Sequence, residues 1–219
     1  MSANSLENRR LVLAGLLAVP VGLALTDAPA RAAGPGTAPP TASEAGQSGS
    51  NAALNCLMTR RSVRSFTDAP VSGELVRRML AAGMQAPSAG NERPWQFVVV
   101  TDKARLASLA QVHAYVHFAA KAPLGIVVCA DLSKARLKGY WPLDMSNCTM
   151  NILLAAHALG LGAVWTGIYP EEERISKVAE ICATPEGIVP FALVVLGHPA
   201  QSPSPQDRFE AARIHDNKW

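Results

Sequence analysis

The stretch that most constrains the fold runs from Asp144 to Leu159. Met145, Cys148, Ile152, Ala155 and Leu159 recur at helical spacing, and Leu153, Leu154 and Ala156 widen the stripe. A helix that is apolar on most sides has to be covered from more than one direction, so it belongs in the centre of a domain. Gly160-Leu161-Gly162 ends it. Met145 and Cys148 read as core side chains rather than as chemistry.

Short apolar runs flank this helix and read as strands: Gln96 to Thr101, Leu124 to Ala130, Ala163 to Ile168 and Phe191 to Gly197. Ala52 to Thr59 reads as a short helix with Leu54, Leu57 and Met58 on one face. Ser72 is an N-cap, with Glu74 in the first turn behind it and Leu75, Val76, Met79 and Leu80 at helical spacing, and that helix stops between Gly83 and Pro87. Asp102 caps the next one, with Leu106 and Leu109 turned inward. Glu171, Glu172 and Glu173 begin a helix that runs towards Cys182. They are a solvated run that offsets the helix dipole, not an acid/base cluster. Beyond the last strand the tail passes through Arg208, Arg213, His215 and Trp219 with little periodicity, an arm long enough to reach across a partner subunit.

A chain of 219 residues, 49% hydrophobic and 17% charged, is globular and long enough for one domain with a real core. A net charge of +3, scattered along the chain, and 5% aromatic residues argue against a nucleic-acid surface. Cys56, Cys129, Cys148 and Cys182 form no CxxC pair, so neither a metal knuckle nor a redox motif is signalled. His113 and His117 stand at i, i+4 spacing and could share a metal. No third ligand is suggested, so packed or half-exposed histidines are the plainer reading and no metal is expected. The chain lacks GxGxxG and GxxxxGK[ST] after any strand, and it lacks a GxSxG elbow.

The first part of the chain reads as an address. Arg9-Arg10 precedes an apolar run from Leu11 to Leu25, and Ala30-Arg31-Ala32 offers small residues for cleavage before Ala33. Residues 1–32 therefore read as an export signal. The adjacent arginines resemble a twin-arginine signal, with a general secretory signal or an uncleaved anchor as the alternatives. Residues 33–51, rich in Gly, Pro, Ala and Ser, read as a flexible linker, and residues 52–219 as the working domain. The expected location is the periplasm or cell exterior, after cleavage near Ala32.

Two segments before the first strand carry candidate chemistry. Arg60-Arg61-Ser62-Val63-Arg64 packs three guanidiniums and a hydroxyl into one stretch, the donor set that a phosphate needs; solvated surface charge is the competing reading. The loop from Ala86 to Trp95, with Pro87, Ser88, Asn91 and Pro94, is held by an apolar strand. It is either a ligand-contact loop or an ordinary connection.

Taken in order, Arg60 to Phe66, Ala86-Pro87-Ser88 with Asn91 and Pro94-Trp95, Ala155 to Gly162, Trp165-Thr166-Gly167 and Gly197-His198-Pro199 resemble the FMN-dependent nitroreductase family, in its small, minimal form. The resemblance spans residues 52–219. It implies an α+β fold: a mixed β-sheet flanked by helices, with an extended C-terminal arm, as a homodimer that holds FMN at the subunit interface. It further implies that Arg60 and Ser62, with Arg61, hold the FMN phosphate and ribityl end, and that Arg64 lies near N1 and O2 of the ring. Pro87 and Ser88 would reach the flavin from the neighbouring chain, and Asn91 would read the pyrimidine edge. Thr166 and Gly167, in the third strand, would contact the cofactor, with the Gly167 N–H aimed near N5. Arg208 would supply a phosphate arginine from the tail. Gln206 stands where a second basic residue is expected, and Arg213 is the candidate to replace it. The implied activity is hydride transfer from NAD(P)H to FMN and on to nitroaromatic, quinone or similar acceptors in a ping-pong scheme. The alternatives are a redox-sensing flavoprotein with little turnover, or a specialised family reaction such as reductive dehalogenation or fragmentation of the flavin.

Overall fold

The computed structural model describes residues 51–219. The export signal expected over residues 1–32, and all of the expected linker but Asn51, lie outside the described residues. Asn51 already belongs to the fold. Its side chain accepts the N–H groups of Ala53 (3.1 Å) and Leu54 (3.3 Å) as the N-cap of α1, Ala52–Thr59. There follow α2 (Gly73–Met84), β1 (Trp95–Val100), α3 (Lys103–Leu109), β2 (Leu124–Asp131), α4 (Trp141–Ala158), β3 (Gly162–Gly167), α5 (Glu172–Cys182) and β4 (Ile188–Gly197).

The fold is α+β. Its sheet has the order β1-β2-β4-β3, and each neighbouring pair is antiparallel. A mixed sheet was the expectation; among the described residues the only parallel contact is a single bridge between Ser62 and Ala163. The register gives the reason. Val100, which ends β1, lies opposite Gly125, at the start of β2, so the linker through α3 leaves and returns at the same end of the sheet. Gly167 and Ala192 stand in the same relation across α5. A parallel pair needs a crossover to the opposite end.

Both faces of the sheet are covered. On one, Ile126, Val128, Val194 and Leu196 pack against Met79 of α2 and Met145, Cys148 and Ile152 of α4. On the other, Val127, Cys129, Leu193 and Val195 pack against Leu106 and Leu109 of α3 and Val178 of α5. This two-sided burial explains why β2 reads as an unbroken apolar run, and each buried aliphatic side chain contributes roughly 1.5–3 kcal/mol. Helix α4 is central as its stripe requires, with Met145, Cys148, Ile152 and Ala156 fully buried. It starts one turn earlier than Asp144, because Pro142 falls in its first turn, where a missing N–H costs nothing.

Two features were not legible in the sequence. His113 and His117 do not share a helix: α3 ends at Leu109, and a short 3-10 turn spans His117–Lys121. His113 Nδ1 accepts the Tyr115 N–H at 3.1 Å, a local side-chain bond that competes with helix continuation. Second, among the described residues nothing covers the face of Leu54, Leu57 and Met58 on α1, and α1 contributes no buried residue. Cys56 and Leu57 instead border an open apolar groove of about 590 Å³ with Ala82, Leu154, Ala155 and Ala158. Among the described residues no helix is long and apolar enough to cross a membrane. Residues 201–219 form an exposed arm with one short 3-10 turn, Ala211–Arg213.

Candidate functional site

The Arg60–Arg64 segment leaves α1 at its C-cap and runs extended along β3. The Val63 N–H donates to Ala163 O at 3.1 Å, and the Val63 side chain is buried. Alternation along an extended chain then turns Ser62 and Arg64 the other way. Gly162 makes the approach possible, since a Cβ there would lie 2.6 Å from Val63 Cγ1. The start of the tail pairs alongside, with Thr67 N–H donating to His198 O (2.9 Å) and Ala200 N–H to Ser65 O (2.9 Å). That pairing returns the arm to the arginines.

The result is a cavity of about 340 Å³ lined by Arg60, Arg61, Ser62, Arg64, Pro203, Ser204, Gln206 and Arg208. Burial, and after it the charges of Arg61 and Arg208, holds the Arg60 guanidinium below its ordinary pKa. Among the described residues none of these four arginines forms an ion pair with a carboxylate. Arg213, the alternative tail cation, pairs with Glu210 at 2.7 Å. Arg61 is largely committed to the backbone: Nη1 donates to Met58 O (2.9 Å) and Arg60 O (2.7 Å), and Nη2 donates to Gln206 O (3.1 Å). Its buried Nε has no partner. Gln206 serves as a bracket, its side-chain oxygen accepting from Arg208 Nη2 at 3.0 Å.

Behind this cavity stands His157. Thr59 Oγ1 donates to Asn55 O (2.6 Å), so it accepts from His157 Nε2 at 2.8 Å. Burial, then Arg60 and Arg61, lowers the His157 pKa.

Arg64 also lines a second, larger cavity of about 640 Å³ at the end of β3, with Trp165, Thr166, Gly167, His113, Tyr115, His117, Phe118 and Arg174. Thr166 is buried and its hydroxyl donates to Leu193 O at 2.8 Å, so it fixes the strand end. Arg174 Nη1 donates to Gly167 O at 3.3 Å. The two cavities share Arg64 in their linings, the first cationic and the second walled by rings. That shape and donor set suit a phosphorylated planar cofactor, and the partnerless Arg61 Nε and unpaired guanidiniums are what an anion would satisfy.

One chain therefore gathers Arg60, Arg61, Ser62, Arg64, Thr166, Gly167 and Arg208. Pro87, Ser88 and Asn91 lie elsewhere. Their loop precedes β1, at the opposite edge of the sheet from β3, three strand gaps or about 14 Å across. It packs on the α4 side: Asp144 Oδ1 accepts the Ala89 N–H at 2.9 Å, and Ser88 Oγ accepts the Arg93 N–H at 2.9 Å. Asp144 is buried, its Oδ2 has no partner, and burial raises its pKa. Sequence reasoning missed Asp144, Arg174, His157 and the role of the 113–118 segment. The density of ring side chains from His113 to Phe118 was the one available signal.

The sequence profile described as the Nitroreductase family matches residues 57–115 and 108–198. A protein of Methanothermobacter thermautotrophicus, provisionally named NADH dehydrogenase/NAD(P)H nitroreductase, is 45% identical over 166 residues, covering 76% of this chain and 87% of that one. The NADPH-flavin oxidoreductase of Vibrio harveyi is 30% identical over 184 residues, covering 77% of this chain and 75% of that one. A crystal structure from Desulfovibrio desulfuricans, assigned as a nitroreductase and containing FMN, superposes with a TM-score of 0.68 at 34% identity, over 78% of this chain and 99% of that one. By profile, sequence and fold, the chain belongs to the nitroreductase family.

Proposed function

We propose that this chain is an FMN-dependent NAD(P)H oxidoreductase that passes reducing equivalents to nitroaromatic, quinone or similar acceptors, donor and acceptor using the cleft in turn. The observation that carries this reading is the pair of cavities joined at Arg64, one lined by arginines without acidic partners and one by rings. Bound FMN supplies the two-electron chemistry. Arg60, Ser62 and Arg208 hold its phosphate by charge-assisted bonds, with the Arg61 Nε as a further donor. Arg64, which lines both cavities, would stabilise the negative charge that collects at the N1–O2 edge on reduction. Its stabilisation is at most about 4 kcal/mol, and less at an exposed side chain. Gly167 would present its backbone to the ring, with Arg174 and the Thr166–Leu193 bond fixing that end of β3.

The functional unit is a homodimer. The open apolar face of α1, and the separation of Pro87, Ser88 and Asn91 from the cleft of their own chain, support completion of each site by the loop of a second copy. Anaerobic titration of the purified protein with NADH, NADPH and acceptors, followed through the flavin spectrum, tests the reading. Protein that carries no FMN and gains none on reconstitution would end it.

The Arg9-Arg10 segment and the small residues before Ala33 support export of the folded, FMN-loaded protein. Arg9→Lys with Arg10→Lys then retains the protein inside the cell in a fractionation assay. Unchanged export would rule out the twin-arginine route.

A further inference from the structure

The ring-end cavity carries more charge than flavin binding uses. Its lining holds two guanidiniums, Arg64 and Arg174, and two imidazoles, His113 and His117, and no carboxylate. Arg64 is shared with the phosphate-end cavity; Arg174 is not. The nearest acidic run, Glu171 to Glu173, is solvent-exposed, and Glu173 is committed to Lys177 at 2.6 Å. Arg174 is held at the cavity by its bond to Gly167 O, which occupies one Nη and leaves the rest of the fork available. His113 faces Arg174 closely enough that the guanidinium, after burial, lowers the histidine's pKa. His113 Nδ1 accepts a backbone N–H, so in its neutral form the proton is on Nε2, a donor beside Arg174. Tyr115, Phe118 and Trp165 supply flat apolar walls around these donors.

A cavity with ring walls, a fixed guanidinium and no acidic side chain discriminates by ligand charge. Resting on the oxidoreductase reading above, we propose that it selects electron-poor aromatic acceptors carrying an anionic substituent, carboxylate or sulfonate, with Arg174 as the specificity residue that grips the anion. For a nitro acceptor, the nitro group takes a hydride equivalent and a proton, loses one oxygen as water and becomes nitroso. The dihydronicotinamide donor ends as the nicotinamide cation. The anionic substituent takes no part in the electron transfer; it only fixes the acceptor. The phosphates of a dinucleotide donor share this chemistry and are the competing source of the anion.

The experiment compares kcat/KM for 4-nitrobenzoate and 4-nitrobenzamide on the FMN-loaded enzyme. The donor is 1-benzyl-1,4-dihydronicotinamide, which carries no phosphate. The charged-to-neutral ratio cancels any general loss of activity in a variant. The expected result is that Arg174→Gln lowers this ratio about tenfold or more, through KM for nitrobenzoate, and that Arg174→Lys restores much of it. A ratio unchanged within about twofold overturns the proposal and reduces Arg174 to a brace for Gly167. If the variant instead loses selectivity for NADH over the benzyl donor while the acceptor ratio holds, the anion is the donor's phosphate and the proposal also fails. An enzyme that binds no FMN, or that passes no electrons to either acceptor, sinks the underlying oxidoreductase reading instead.

Discussion

The Arg60–Arg64 segment and the Pro87–Asn91 loop are both short polar stretches beside an apolar strand, and they end in opposite electrostatic states. Among the described residues, the first gathers guanidiniums that find no carboxylate, with Arg61 Nε buried and partnerless. The second is mostly satisfied from within: Asp144 takes the Ala89 N–H through Oδ1 and leaves its buried Oδ2 without a partner, Ser88 takes the Arg93 N–H, and Glu92 accepts the Leu137 N–H and pairs with Arg136. An unsatisfied cluster is a place prepared for a ligand, whereas a satisfied loop is a rigid surface prepared for presentation. On the homodimer proposed above, the same chain would build the receiving half of one site and the presenting half of another.

Each half can be broken without touching an atom proposed to meet ligand. Asp144→Ala removes the acceptor of a buried N–H and should cost about 1–3 kcal/mol in urea unfolding, with Asp144→Asn costing clearly less because it keeps an oxygen for Ala89. Equal losses for the two would mean that the carboxylate charge, not the loop bond, is what matters. Gly162→Ala forces a methyl against Val63, 2.6 Å away at its closest, so the arginine segment must shift. We expect about 1–3 kcal/mol of overpacking and a weaker FMN affinity, read by fluorescence. FMN affinity unchanged in a destabilised Gly162→Ala protein would show that the arginines do not depend on this seat.

The smallest effect concerns pH. His157 has its pKa lowered below the ordinary 6.5, first by burial and then by Arg60 and Arg61, so the folded chain holds this proton less readily than the unfolded one. Stability is therefore unaffected well above pH 6.5 and falls as pH drops from there through the lowered value. His157→Gln should flatten that slope in urea midpoints between about pH 7 and pH 5. An identical slope in the variant would assign the acid sensitivity to other groups, of which His113 is the next candidate.

Local rules made most of the scaffold legible. Ser72 and Asp102 cap helices through their side chains as their positions require, whereas the Asn51 cap falls within the expected linker, and the stripe on α4 placed it at the centre. The strands came from their apolar runs, because a sheet buried on both faces leaves no polar alternation to blur them. What was not legible depends on chain segments meeting. Arg174 is seven residues past Gly167 in sequence, and its contact with the end of β3 comes only from how α5 folds back. Asp144 looked like the start of a helix and acts as a tie to a loop 55 residues away. The spacing of His113 and His117 promised a helical face that a local hydrogen bond dissolves. The stripe on α1 was read correctly as apolar, but no periodicity could say that the described residues leave it exposed.

A phosphate-binding end at Arg60, Ser62 and Arg208 is the central assignment, and comparing FMN with riboflavin tests it most directly. The wild-type protein should bind FMN at least about a hundredfold more tightly than riboflavin, which lacks the phosphate. Arg60→Ala combined with Arg208→Ala should collapse most of that gap by weakening FMN alone. Equal affinities in the wild type, or a gap that survives the double substitution, would contradict the assignment.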